Sequence, residues 1–306
     1  YTSSALSAGE KVTVKTYNAA NCSTLSNPIE IVEQALPVIT FASNLADNVT
    51  FCSNTAITFT ATSTGATNYE FKIQGITKQN GAANIFTAGA GDVANGNVVT
   101  VIVTGAGGCT TSSTLTMVEN AITDTGSITI AAATICSGDT PGVIQADAGA
   151  VSGVRTYQWQ SSTDGVSWND IATATGVLED YTPDSPLTVT TSFRRKIIST
   201  IGLIVCEDVS NVQVVTISPG PTALLKGYPG VPPAGEVVGT ASLTICAGVT
   251  AQFFGSGAGA TAYEFLVDGV TVQASSAIST YTSSALSAGE KVTVKTYNAA
   301  NCSTLS

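Results

Sequence analysis

Residues 1–26 read YTSSALSAGEKVTVKTYNAANCSTLS, and residues 281–306 read the same, letter for letter. Identity over so long a stretch does not arise by chance, so the chain carries a tandem repeat whose period is the offset from Tyr1 to Tyr281. Self-similarity at a fixed period is the signature of an array, in which neighbouring units complete one another. The expectation is a window on a longer array, opening inside it, so that no signal peptide is expected at Tyr1. The repeated stretch then cuts one domain in two. Residues 1–36 hold its late strands, with the early ones in the preceding copy. Residues 219–306 hold the rest but lack the last strand, whose alternating sequence is Asn27-Pro28-Ile29-Glu30-Ile31-Val32-Glu33. Two routes could supply that strand: a continuous chain, or donation between separate subunits. Donation would need only the short last strand, so the much longer overlap favours the continuous chain.

Composition narrows the function. Only 10% of residues are charged, against about 25% in an ordinary soluble domain. The net charge is −10, with 11 basic residues spread thinly apart from Arg194-Arg195-Lys196. A phosphate backbone requires clustered Lys and Arg, so nucleic acid is not an expected partner. The same balance gives no attraction to anionic membranes, and no apolar run reaches the ~18 residues of a span. The low charge is compatible with faces that pack on other copies in a homo-oligomeric filament. It is equally compatible with Thr and Ser supplying the surface polarity.

The seven cysteines are Cys22, Cys52, Cys109, Cys136, Cys206, Cys246 and Cys302. Pairing them in succession gives Cys52–Cys109, Cys136–Cys206 and Cys246–Cys302, and leaves Cys22 for a partner in the preceding repeat. Such spacings suit a bridge between the two sheets of a β-sandwich and imply an oxidising, extracellular or cell-surface location. Zinc would want close cysteine pairs, usually with His. There are no such pairs and no His, so neither a metal nor any other cofactor is expected.

Short alternating runs fill the chain: Ile57-Thr58-Phe59-Thr60, Tyr69-Glu70-Phe71-Lys72-Ile73, Tyr157-Gln158-Trp159-Gln160 and Leu243-Thr244-Ile245-Cys246 among them. They predict an all-β fold of tandem immunoglobulin-like sandwiches: the fragment 1–36, then domains at 37–120, 121–218 and 219–306. No Gly/Ser linker separates them. The exception is a proline-rich lead-in to the last domain (Pro219, Pro221, Pro229, Pro232, Pro233), read as an inserted loop or polyproline-like joint. Each domain has a first cysteine, then Tyr-x-aromatic (Tyr69/Phe71, Tyr157/Trp159, Tyr263/Phe265), then a second cysteine. The aromatic two after the tyrosine should point into the core and lie against the disulfide.

On these strings the chain resembles a known family. YQWQSSTDGVSWNDI, YTPDSPL, SFRRK and SNVQVVT of the second domain resemble the Ig-like repeats of very large secreted surface proteins of gliding bacteria and their relatives. YEFLVDGVTVQ and SAGEKVTVKTYNAANC resemble their companion repeats. The resemblance implies an adhesin stalk or surface filament exported by a dedicated secretion system, and carries over no catalytic residue.

Little else looks like chemistry. Without His, Ser-His-Asp and Cys-His arrangements are excluded. Glu179-Asp180 and Glu207-Asp208 are neighbours that would face opposite sides of a strand. Asp164, Asn169 and Asp170 offer hard oxygens but lack EF-hand spacing; Asp164-Gly165 reads as a turn. Gly105-Ala106-Gly107-Gly108 reads as a tight bend, since no helix follows to make a phosphate cradle. Trp168 and Tyr228 are the candidate ligand platforms for a surface glycan or protein, although Trp168 reads more readily as a packing residue capping the hairpin. The expected function is mechanical rather than catalytic, a repeat of an adhesin stalk or filament. The alternative is a multivalent binding module.

Overall fold

The computed structural model describes residues 1–230, 237–238, 242–246 and 248–306. It is all-β; among the described residues the only helical turn named is the 3-10 turn Ala174–Val177. No helix there is long and apolar enough to cross a membrane. The chain parts into two compact units. One comprises residues 1–121, 152–154 and 199–206; the other comprises 122–151, 155–198 and 207–306.

Strict alternation builds the first apolar core. Ile57–Thr62, Ala66–Ile73 from Tyr69 onward, and Val98–Gly105 bury every second residue, because successive side chains of a strand face opposite sides. One sheet runs Ile85–Ala88, Ile57–Thr62, Thr40–Ser43. The facing sheet runs Thr110–Thr116, Val98–Gly105, Ala66–Ile73, Ile76–Gly81. This is an immunoglobulin-like sandwich. A third pairing closes it: Thr50–Cys52 runs parallel to Val118–Asn120, with Cys52 opposite Asn120. Phe71 is buried as expected, but its neighbours are Phe41 and Phe86, with ring centroids 6.2 and 5.7 Å away.

The second core gathers Ile128, Ile144, Trp159, Tyr181, Phe193 and Val215. Its main sheet again contains a parallel pair, Thr134–Cys136 with Gln213–Ser218, which sets Cys136 opposite Ser218. Trp159 packs on Tyr181 and donates its indole N–H to Leu178 O (3.0 Å). The third core is built from Leu225, Ala251, Phe253, Phe265 and Val294 between two four-stranded sheets. It copies details of the first: Thr77 Oγ1 donates to Glu70 and Thr271 Oγ1 to Glu264, both at 2.6 Å. These bonds hold both carboxyls below their usual range.

Two expectations fail around this third core. Leu243–Cys246 is not a strand. Its counterparts Thr50–Cys52 and Thr134–Cys136 are strands because each has a parallel partner from the end of its own sandwich, and no such partner is present here among the described residues. Nor is the proline lead-in a polyproline joint throughout. Leu224–Pro229 is a strand paired with Ala251–Ser256, with Pro229 at its end, where a missing N–H costs least. Pro232 and Pro233 lie outside the described residues.

The duplicated segment occurs in two states. In residues 281–306, Val292–Tyr297 is a six-residue strand between Ala262–Val267 and Ser303–Leu305, and Val294 is fully buried. In residues 1–26 the equivalent strand shrinks to Lys15–Tyr17, and Val14 is 60% exposed. The local turn is unchanged. Asn18 Oδ1 accepts from Ala20 N (3.0 Å) and Cys22 N (2.9 Å); Asn298 does the same for Ala300 and Cys302 at the same distances. The Asn side chain makes the turn by itself, whereas the strand needs a neighbouring strand.

The basic run on Thr191–Ile201 is sorted by the same alternation. Lys196 pairs with Glu207 (3.1 Å) and Arg194 lies over the Trp168 ring. Arg195 points the other way and is fully buried. Its guanidinium donates to Glu179 O (3.0 Å), Thr125 O (3.3 Å) and Asp147 O, and stacks on Tyr157. Burial pulls its pKa down; the carbonyls replace the water lost at Nη1 and Nη2, while the buried Nε makes no hydrogen bond. Gly126, at φ +69°, allows this approach; a Cβ there would lie 2.5 Å from Arg195 Nη2. Arg195→Ala should strand these carbonyls and open a cavity, at a cost of about 3 kcal/mol. Tryptophan fluorescence, which follows buried Trp159, should then report melting lower by roughly 10 °C or more.

Candidate functional site

The most constrained residues lie where the end of one sandwich meets a turn of the next stretch of chain. Asn120 sits opposite Cys52 and is fully buried. Its Nδ2 donates to Ser199 O (2.9 Å) and Ile204 O (3.1 Å), and its Oδ1 accepts from Ser199 Oγ. Residues 199–206 are a hairpin tip turned at Gly202, and they end in Cys206, which is bonded to Cys52. The same construction recurs further along. Ser218 sits opposite Cys136. Asn298 Nδ2 donates to Ser218 Oγ (2.9 Å) and Pro219 O (2.8 Å), and the Asn298 turn leads into Cys302, which is bonded to Cys136. Gly220 is needed there, since a Cβ would sit 2.8 Å from Thr304 Oγ1.

A third example lacks the bridge. The Gly105–Gly108 bend packs on Gln34 and Pro37. A Cβ on Gly107 would lie 2.7 Å from Gln34 Cγ, and one on Gly105 3.2 Å from Pro37 Cγ. Cys109 follows as a free thiol, half-buried, with its Sγ 3.8 Å from Gln34 O. Cys22 and Cys246 are free and exposed.

The pairing expected from succession is therefore corrected. Cys52 joins Cys206 rather than Cys109, Cys136 joins Cys302 rather than Cys206, and Cys246 is not joined to Cys302. The parallel pairing explains why. It carries the first cysteine to the end of the sandwich where the chain leaves, beside Asn120 or Ser218. The second cysteine follows a turn at the opposite end, beside Gln34 and Pro37 in the first sandwich. A disulfide needs Cα atoms within about 7 Å, which the observed pairs meet at 5.6 and 5.4 Å. The core aromatics accordingly have other aromatics as neighbours where the disulfide was expected. Closing loops of 154 and 166 residues stabilises by about 5 kcal/mol each in the chain-entropy picture.

The other sequence candidates make contacts within the chain. Trp168 is half-buried, and one face is covered by the Arg194 guanidinium at 4.1 Å. Arg194 is fixed through Gln160 to Asp170 (2.8 and 2.7 Å). Tyr228 meets Phe254 edge-on at 5.4 Å. Asp164 accepts from Val166 N, Ser167 N and Ser162 Oγ, which hold its carboxyl far below the usual range. Among the described residues no group of three or more His, Cys, Asp or Glu could hold a metal ion.

A family described as a domain of unknown function (DUF8696) matches residues 124–219. No curated protein matches the chain. Among solved structures, the chain is similar to three N-terminal domains of the Hoc capsid protein of bacteriophage RB49, at 14% identity. That match covers 69% of this chain and 78% of that one, with a TM-score of 0.39. It is similar also to fibronectin(III)-like modules of Clostridium thermocellum CbhA, at 14% identity, 59% and 93% coverage and TM-score 0.34. The N-terminal four Ig domains of a Dscam1 isoform are similar at 12% identity, 97% and 80% coverage and TM-score 0.25.

Digestion without reduction should yield peptides joining Cys52 to Cys206 and Cys136 to Cys302. Thiol titration of the 306-residue segment produced by itself, denatured and unreduced, should count three. Asn120→Ala, which leaves the Ser199 and Ile204 carbonyls unpaired, should cost about 2 kcal/mol and speed amide exchange in residues 199–206.

Proposed function

We propose that the chain is one period of an extracellular array with a mechanical role, the stalk or filament of a surface adhesin. In this reading 37–120 and 121–218 are complete sandwiches. Residues 219–306 are completed by the counterpart of residues 27–36 in the following copy. The observation that carries it is the double life of the duplicated segment. The same residues are buried at Val294 and bare at Val14, which is what one expects if 1–26 belong against the counterpart of 222–283 in a preceding copy. The unpaired Leu243–Cys246 segment supports the same reading from the other side. Disulfides as the main cross-links support an oxidising location.

The mechanics follow from the bridges. When a sandwich is pulled apart, chain length is released only where no disulfide bypasses it. Between Cys52 and Cys302 the shortest covalent path runs across one bridge, along the shared stretch from Cys206 back to Cys136, and across the other. At ~3.4 Å per residue it extends to roughly 240 Å, whereas the reduced segment would extend to roughly 850 Å. Intact bridges therefore cap the reach of this stretch at less than a third of its reduced length.

Two measurements test this. Appending residues 27–36 after Ser306 should turn Leu243–Cys246 into a strand and protect its amides from exchange; unchanged exchange there would count against the array. Single-molecule pulling through handles at positions 51 and 303, which leaves both bridges intact, should show about a 3.5-fold gain in extension on reduction. If a single period instead bound glycans and Trp168→Ala abolished it, the binding-module reading would replace the mechanical one.

A further inference from the structure

Three cysteines are free, and each occupies a place that the two bridges explain. In both bridges the first cysteine of one sandwich bonds the second cysteine of the next: Cys52 to Cys206, and Cys136 to Cys302. In both, the first cysteine lies opposite a residue that ends its own sandwich, Asn120 or Ser218, and the following turn docks on that residue. Ser218 follows Cys206 at the same spacing as Gln34 follows Cys22. Gln34 is thus the equivalent end residue of its sandwich, and the Gly105–Gly108 turn docks on it in the same way. Cys109 waits against Gln34 O. The position opposite Gln34 belongs to the first cysteine of that sandwich, which by the period of the repeat is the counterpart of Cys246.

We infer that Cys246 of each copy is bonded to Cys109 of the following copy along one continuous chain, and Cys22 to Cys136 of the preceding copy. The inference rests on the array reading above and adds to it the covalent identity of the seam. Every junction is then stapled, and all six cysteines of a period are used. The chemistry is ordinary thiol–disulfide exchange with an external disulfide oxidant, either a thiol oxidoreductase or a small-molecule disulfide. One thiolate attacks the oxidant and forms a mixed disulfide. The second thiolate then displaces it. The oxidant departs as two thiols, carrying away two electrons and two protons.

The test uses the full-length protein, alkylated without reduction and cut with trypsin and a Glu-specific protease. Cleavage after Lys78 and Glu119 isolates Cys109 in fragment 79–119, and the fragment 237–264 isolates Cys246. The expected product is 237–264 linked to 79–119. Recovery of 237–264 alkylated, or linked to the Cys302 fragment, overturns the inference. A ladder of multiples on a non-reducing gel that collapses on reduction would show bonds between chains, and would also overturn it. The array reading fails separately if a fragment TYNAANCSTLS ends at Ser306, since in an array every such fragment continues into Asn-Pro-Ile-Glu. Cys246→Ser should release Cys109 to alkylation one for one while leaving Cys206 and Cys302 protected; no added thiol at Cys109 would refute the pairing.

Discussion

The parallel pairing of a short strand with the end of its own sandwich governs the rest of this structure. Thr50–Cys52 against Val118–Asn120, and Thr134–Cys136 against Gln213–Ser218, each place a cysteine beside the last residues of a sandwich. Antiparallel hairpins alone would leave that end open. Once the short strand is there, the following turn finds a polar partner in Asn120 or Ser218, and its cysteine finds a sulfur. Where the closing strand is not available, as at Leu243–Cys246, the cysteine segment stays out of the sheet. Local sequence is therefore not sufficient for this element; it forms only against a strand distant in the chain.

That division between local and distant determinants also marks how far the sequence could be read. The all-β class, the buried aromatics Phe71, Trp159 and Phe265, and the strands bearing them follow from period-two alternation, a local signal. The turn at Asn298 and its twin at Asn18 are local too, and form whether or not the strand beside them is complete. The disulfide partners were not legible. Spacing along the chain favours neighbours such as Cys52 and Cys109, and only the parallel register shows that these lie at opposite ends of one sandwich. The fate of Arg195 was half legible. Alternation separates it from Arg194 and Lys196, but the ring of carbonyls from Thr125, Asp147 and Glu179 that makes its burial tolerable comes from three separate segments.

Candidate ligand sites fare in a similar way. Trp168 reads in sequence as a packing residue capping a hairpin, with a sugar platform as the alternative. In the structure Arg194, from the neighbouring strand, occupies one face of its ring. Asp164 reads as a turn residue with oxygens to offer, and it is spent on the N–H groups of its own turn. In both cases a group that could serve an outside ligand is satisfied from within, and the polar chemistry of the surface maintains the shape of loops.

The two bridges overlap, because Cys136 precedes Cys206 in the chain. Every peptide bond from Cys52 to Cys302 is consequently enclosed by at least one covalent ring. A single cut by a protease anywhere in that span leaves the molecule in one piece. Bridges confined within each sandwich would have left the stretches 109–136 and 206–246 as single threads, each severed by one cut. Overlap thus gives damage tolerance of a kind that neither a tighter core nor a larger number of separate disulfides would provide.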